Sequence, residues 1–181
     1  YLDFVPNQGY SVHRLTRGEA ESLYEIREIL EVGSIGKAIR MMTPEKLHLL
    51  EKKKQEYERA ITDRVQRKLF NLDTEFHASV IGMIGNIFLV ERYRDICQRI
   101  FLRFRTDDLK VERISEIVRQ HDELFEAIQI RDVERAKALI RNHYADSKKN
   151  LFAIIFQKEE RIEKLQNRIK DGNAAESSAR H

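Results

Sequence analysis

The stretch Val65-Gln-Arg-Lys-Leu69-Phe-Asn-Leu72-Asp73-Thr-Glu-Phe76-His77-Ala-Ser-Val80-Ile-Gly-Met-Ile84-Gly85-Asn86 decides how the chain folds. Its apolar residues Val65, Leu69, Leu72, Phe76, Val80 and Ile84 recur every three or four positions, which is the spacing of one helix face. Gly85-Asn86 closes the run as a left-handed helix cap. The same scarcity of breakers holds on both sides. After Pro44 there is no further proline, and between Pro44 and Asp171 the only glycines are Gly82 and Gly85. Sheet hairpins need Gly, Asn-Gly or Pro, so the chain reads as all-α.

The helix starts are legible. Thr16-Arg-Gly-Glu19 is a capping box. It opens a first helix to about Glu31 that breaks or kinks near Gly33 and Gly36 and resumes to Met42. Thr43-Pro44 supplies a cap and a first-turn proline for a second helix to about Ala60. The third spans roughly Asp63–Ile84 and the fourth Ile87–Arg105. Thr106-Asp107-Asp108 is a turn before a fifth, about Lys110–Gln129. Arg131-Asp132 caps a sixth, which runs to about Gln166 and is long for a globular domain. Its apolar positions give way to charge after Phe156, so its distal part is expected to project or to pack on a partner subunit. Residues 171–181 read as a flexible tail. Residues 1–15 differ: two short strands flank the turn Pro6-Asn-Gln-Gly9. Two strands alone bury too little to be stable, and the chain opens on Tyr1, so this segment is expected to be the end of an upstream domain.

Composition sets limits on function. The 181 residues suit one domain with a genuine core. With 33 Lys plus Arg against 30 Asp plus Glu, a net charge of +3 is too balanced for nucleic-acid binding by this chain alone. Apolar runs such as Leu151–Phe156 fall far short of the roughly 20 residues of a membrane span. The lone Cys97 rules out a disulfide scaffold and suits a reducing compartment. A soluble, cytoplasmic protein is expected.

Four polar residues interrupt the apolar stripes. Asp73 and His77 lie one helical turn apart beside the third-helix stripe. His121 sits at the centre of the fifth-helix stripe Ile114, Ile117, Val118, Leu124, Phe125 and Ile128, and His143 falls in line with Ala136, Leu139, Ile140, Leu151 and Ile154. A single histidine on an apolar face is usually a hydrogen-bonded core residue. Three histidines and an aspartate directed from three helices at one interior form a different pattern. An unpaired buried carboxylate costs several kcal/mol or takes up a proton; a divalent cation removes that penalty. The thiolate-free set suits Zn²⁺, Ni²⁺, Mn²⁺ or Fe²⁺ and disfavours Ca²⁺. Four ligands close a tetrahedral site but leave positions open in an octahedral one, for water or the oxygens of a small acid. His13, His48 and His181 stand apart from this set.

These residues carry a resemblance. Val5-Pro-Asn-Gln-Gly-Tyr-Ser-Val12, Leu23-Tyr-Glu-Ile-Arg27-Glu-Ile-Leu-Glu31, Leu72-Asp73-Thr-Glu-Phe-His77 with Gly85-Asn86, and His121-Asp-Glu-Leu-Phe-Glu-Ala-Ile128 followed by Arg131-Asp132, Ala136 and His143 occur in that order. The ordered set resembles the effector-binding domain of GntR-type bacterial transcription regulators, the FadR C-terminal (FCD) family. The resemblance implies an antiparallel bundle of six to seven helices around a ligand and metal cavity. It implies a divalent metal, zinc foremost, on Asp73, His77, His121 and His143, a small organic acid as effector, and a homodimer. It also divides the chain: 1–15 as the last wing strands and linker of an upstream winged-helix domain, 16–170 as the effector domain. Operator DNA would be bound only through that upstream domain, which the chain lacks apart from those strands.

A carboxylate effector wants a guanidinium clamp. Arg27, one residue past the apolar Leu23 and Ile26, is the first candidate and Arg103 the second; each also reads as a surface or capping salt bridge. Asn86 reads as a helix-end residue. The leading function is a metal-dependent sensor domain without catalytic activity. A helical-bundle metalloenzyme on the same Asp/His set is the alternative, but Glu45-Lys-Leu-His48 is the only Glu-x-x-His spacing, where di-iron bundles use two. Glu75 faces away from Asp73 and His77, so no general base stands beside the site.

Overall fold

Two strands and six helices account for the described residues of the computed structural model, which are 2–6, 9–12, 15–62, 68–101 and 111–178. Strands β1 (Leu2–Val5) and β2 (Gly9–Val12) pair antiparallel, Leu2 opposite Val12 and Val5 opposite Gly9. Gly9 has φ of +87°, a conformation glycine adopts without steric cost. Phe4 and Tyr10 face each other across the hairpin with both rings exposed.

The first helix, α1 (Arg17–Arg40), begins at the expected capping box: Glu19 N–H donates to Thr16 Oγ1, and Thr16 N–H donates to a Glu19 carboxylate oxygen at 2.8 Å. It is unbroken through Gly33 and Gly36, contrary to the sequence expectation. Each glycine costs about 1 kcal/mol of helix propensity, but Ser34, Ile35, Ala38 and Ile39 are all buried at the same turns, and that packing outweighs the cost. The phase of α1 also differs from the one read from Leu23 and Ile26. Ile26 is 42 % exposed, while Ala20, Tyr24, Arg27, Glu31, Ile35 and Ala38 form the buried stripe.

Pro44 opens α2 (Pro44–Thr62), with Thr43 Oγ1 accepting from Lys46 N–H. Helix α3 (Leu69–Gly82) ends before Gly85, whose φ of +78° turns the chain. Asn86 Oδ1 then accepts from the N–H groups of Phe88 and Leu89 and so starts α4 (Ile87–Phe101), the helix-end role expected for it. Helix α5 (Val111–Gln129) leads through Arg131, in the left-handed region at φ of 63°, to Asp132, whose carboxylate accepts from Arg135 N–H at the start of α6 (Val133–Ser178). Helix α6 extends beyond Gln166: no proline follows, and Ala174-Ala175-Glu176 are strong helix formers. The starts expected at Asp63 and Lys110 and the turn Thr106-Asp107-Asp108 lie outside the described residues.

The helices form a bundle in which α1 packs on α3, α4 and α6, α2 on α3 and α5, and α5 on α6. The principal core joins Ile35, Leu50, Phe76, Ile81, Tyr93, Ile128 and Ile140, all essentially inaccessible. A smaller apolar cluster, Tyr57, Leu69, Ile114 and Ile117, lies where α2, α3 and α5 meet. No described helix is long and apolar enough to cross a membrane.

Candidate metal centre

Helices α3, α5 and α6 bring Asp73, His77, His121 and His143 together, with one potential ligand atom from each lying within 4.8 Å of all the others. The three imidazoles are buried, and Asp73 is 14 % exposed at its side chain. Asp73 Oδ1 stands 3.2 Å from His121 Nε2, 3.5 Å from His143 Nε2 and 3.8 Å from His77 Nε2; the Nε2 atoms of His77 and His143 are 3.2 Å apart. Ligands held about 2.0–2.1 Å from one zinc ion stand about 3.3 Å from each other in a tetrahedron. The observed separations bracket that edge.

The surrounding groups fix which nitrogens are available. His77 Nδ1 lies 2.8 Å from Glu31 Oε1, and His143 Nδ1 lies 3.0 Å from Gln120 Oε1. Both oxygens are acceptors, so both Nδ1 atoms carry hydrogens, and in the neutral form of each ring the Nε2 atom directs its lone pair inward. Two lone pairs 3.2 Å apart repel unless a proton or a cation lies between them. His121 has neither ring nitrogen in a hydrogen bond; its Nε2 is near Asp73 without the required alignment. A buried imidazole left without a partner costs about 1–3 kcal/mol, and a cation at the centre of the four would accept its lone pair. Imidazole nitrogens and a carboxylate are natural ligands of a divalent transition ion, so the residues fit such a metal.

Protonation follows from the same geometry. Burial lowers His121, and it lowers His143 to about 3, so both are neutral at physiological pH. For His77 burial also opposes charge, but the adjoining Glu31 carboxylate wins and the net displacement is upward. Burial would raise Asp73, yet the histidines around it hold it well below its ordinary 3.8. The cluster presents an ionised carboxylate and the lone-pair nitrogens of His121 and His143, with His77 displaced toward its charged form.

Arg27 is 1 % exposed, with its Nη2 at 3.5 Å from Asp73 Oδ2, while Arg103 lies outside the described residues. The Arg27 guanidinium lies 4.8 Å from the centre of the Tyr144 ring and donates to the Tyr93 hydroxyl at 3.1 Å. Tyr93 donates in turn to Tyr144 (2.9 Å), and Tyr144 donates to Glu31 Oε2, whose other oxygen accepts from His77. Arg27, Tyr93, Tyr144, Glu31 and His77 therefore form a hydrogen-bonded chain through α1, α3, α4 and α6, with Asp73 paired to Arg27 at its end. Beside it is a cavity of about 50 Å³ with Arg27, Asp73, Arg113 and Ser147 in its wall.

The sequence profile of the FCD domain matches residues 22–146, most of the chain and all four clustered residues. The chain belongs to the FCD domain family. Relatives of the chain include the "Uncharacterized HTH-type transcriptional regulator YdhC" of Bacillus subtilis (strain 168), 27 % identical over 75 % of this chain. A second is the "Probable HTH-type transcriptional regulator LgoR" of Escherichia coli (strain K12), 26 % identical over 81 % of the chain. The chain spans 61 % and 49 % of those two proteins. Among solved structures, E. coli McbR/YncC superposes with a TM-score of 0.73 at 18 % identity, covering 87 % of this chain and 77 % of that one, a likeness of fold.

The sequence reading did not single out Gln120, Tyr93, Tyr144 or Arg113, and it assigned no role to Glu31 beyond the family resemblance. A signal existed for Glu31, which lies one turn past Arg27 on the buried stripe of α1. Of the residues set aside, His48 is largely exposed, with Glu51 at 3.9 Å, and Glu75 turns to α4, where Arg94 grips it bidentately at 2.7 and 2.8 Å. His13 and His181 lie outside the described residues.

Proposed function

We propose that this chain is the effector-sensing and dimerisation part of a cytoplasmic transcription regulator. In this reading Asp73, His77, His121 and His143 hold a divalent ion, zinc foremost, and a small organic acid binds in the adjoining cavity. One observation carries the proposal: three imidazoles and an ionised carboxylate converge at metal–ligand spacing, and Glu31 and Gln120 fix two of the ring orientations. When bound, the ion supplies a Lewis-acidic anchor for an acid's carboxylate. The chain's own part is to place Arg27 beside Asp73, where its guanidinium pairs with that carboxylate, and to exclude water with Tyr24, Tyr93 and Tyr144.

Residues 1–15 would be the last wing strands and linker of an upstream DNA-binding domain, through which operator DNA is reached. An acid that binds one arrangement of the dimer better than another shifts the population, and with it DNA affinity, by that difference. Among the described residues nothing beside the cluster is placed to act as a general base: Glu31 is committed to His77 and Tyr144, and Glu75 to Arg94. That favours a sensor over a metalloenzyme. Elemental analysis of purified protein, with a thermal-shift screen of small organic acids with and without chelator, tests the proposal. The expected result is near-stoichiometric metal and acid-induced stabilisation that chelation abolishes. Acid binding that persists in metal-free protein would overturn it.

A further inference from the structure

Glu31 and Gln120 hold two rings of the cluster by different chemistry. A carboxylate can only accept, so Glu31 by itself settles that His77 presents an Nδ1–H to it. The Gln120 side chain is an amide, with oxygen on one branch and NH2 on the other. Turning it over exchanges an acceptor for a donor. What faces His143 Nδ1 is therefore decided by whatever meets the rest of the amide.

Helical spacing supplies those groups. On α6, Asp146 and Ser147 follow His143 by three and four residues and share its face; on α5, Arg113 and Glu116 precede Gln120 by seven and four. Gln120 is 7 % exposed, so water offers it little alternative. Its Nε2 donates to Asp146 Oδ2 at 2.8 Å. Its Oε1 accepts from His143 Nδ1–H at 3.0 Å and, more distantly, from Arg113 Nη1 at 3.4 Å. A carboxylate offers only lone pairs and a guanidinium only hydrogens. Arg113 is itself fixed, by Glu116 at 2.7 Å and by Ser147 Oγ at 2.9 Å. With the amide reversed, its oxygen would face the Asp146 carboxylate and its NH2 the guanidinium, two repulsive contacts in place of two bonds.

The consequence reaches the cluster. A neutral imidazole carries its hydrogen on one nitrogen. Facing Gln120 Oε1, His143 keeps that hydrogen on Nδ1 and leaves the Nε2 lone pair directed at Asp73, His77 and His121. A reversed amide would draw the hydrogen to Nε2, where it blocks ligation. We infer that Asp146, which is not itself a candidate ligand, is a positioning residue of the metal cluster: it orients the Gln120 amide and through it fixes the tautomer of His143. The effect on metal affinity rests on the metal reading above; the tautomer does not.

The test has two readouts on the full chain, each variant checked for folding by circular dichroism. Nitrogen-15 spectra of the histidine rings in metal-free protein should show His143 as the Nδ1–H form, and Asp146→Asn, whose own amide tolerates either orientation, should bring out the Nε2–H form. Zinc affinity, measured by competition with a chelator, should fall about tenfold in Asp146→Asn. Combining it with Gln120→Glu places an acceptor-only group against His143 and should restore both the tautomer and most of the affinity. Glu123→Gln removes a carboxylate from the same cleft between α5 and α6 without touching Gln120, and should change neither readout. An Nε2–H His143 in the unsubstituted chain would overturn the inference, as would an Asp146→Asn chain of unchanged tautomer. An equal loss of affinity in Glu123→Gln also defeats it, because charge and not orientation would then be responsible. A chain that takes up no zinc sinks the metal reading, while the ring spectra still decide the role of Asp146.

Discussion

The bundle has two interiors built on the same helices. Around Ile81, Ile128 and Ile140 it is apolar, while around Asp73, Glu31 and the three histidines it is polar, and apart from the edge of Asp73 both are essentially inaccessible to water. The apolar interior is held by removal of hydrocarbon from water, a contribution that sums roughly residue by residue. The polar interior works differently. Each group there is costly to bury alone and is tolerated because the next one meets it, so its stability belongs to the set. An all-hydrocarbon core would serve the fold at least as well. On the proposed reading, what justifies the polar interior is the ion it would bind.

The sharpest way to break this contrast is Glu31→Ala. The variant strands the His77 Nδ1–H and the Tyr144 hydroxyl, and the urea midpoint should show a loss of about 3–5 kcal/mol. A loss under 1 kcal/mol would mean that the polar interior is as forgiving as the apolar one. Next comes the ion. With zinc at a hundredfold excess over its dissociation constant, chelation should cost about 2.7 kcal/mol. His121→Ala combined with His143→Ala should remove that chelator response altogether.

The pH dependence is smaller and has a definite sign. His143 is held at about 3 in the folded chain, against 6.5 when free. Unfolded protein therefore takes up the proton first, and the stability His143 contributes is complete above 6.5 and lost as pH falls toward 3. Chelated protein should lose about 2 kcal/mol from this source between pH 7 and pH 5. His77, displaced upward, acts in the opposite sense: its contribution is complete below 6.5 and lost as pH rises through its raised value. Comparing unfolding of the unsubstituted chain and His143→Gln across that range isolates the His143 share, and parallel curves would refute it.

On the apolar side, Ile140→Val should cost about 0.5–1.5 kcal/mol and leave metal content untouched. At the surface, Glu75→Ala, which removes the exposed pair with Arg94, should cost no more than about 1 kcal/mol. If Ile140→Val also released metal, the two interiors would be mechanically coupled rather than merely adjacent.

How far this could be read from the sequence follows the same division. Asp73, His77, His121 and His143 were legible because a polar residue on an apolar stripe violates the period that surrounds it. Arg27 was legible as a candidate, but the phase of its helix was not. Leu23 and Ile26 mark an apolar line that the bundle leaves partly open, whereas Tyr24, Arg27 and Glu31 face inward. Tyr93 and Tyr144 gave no warning, since a tyrosine on a buried stripe is ordinary core and its hydroxyl acquires a partner only when α4 meets α6. Gln120 and Arg113 depend on contacts between α5 and α6, which no single-helix period encodes. The two glycines of α1 misled for a related reason: propensity is local, and the packing that overrides it is not.

The polar chain from Asp73 through Arg27, Tyr93, Tyr144 and Glu31 to His77 also bears on how such a protein diverges. Losing the Tyr144 hydroxyl leaves a donor on Tyr93 and an acceptor on Glu31 unmatched at once. Changes at these positions should be strongly epistatic, rare singly and frequent in company. A descendant that gives up the four-residue cluster is expected to rewrite several members of the chain together, while positions such as Ile140 drift one methylene at a time.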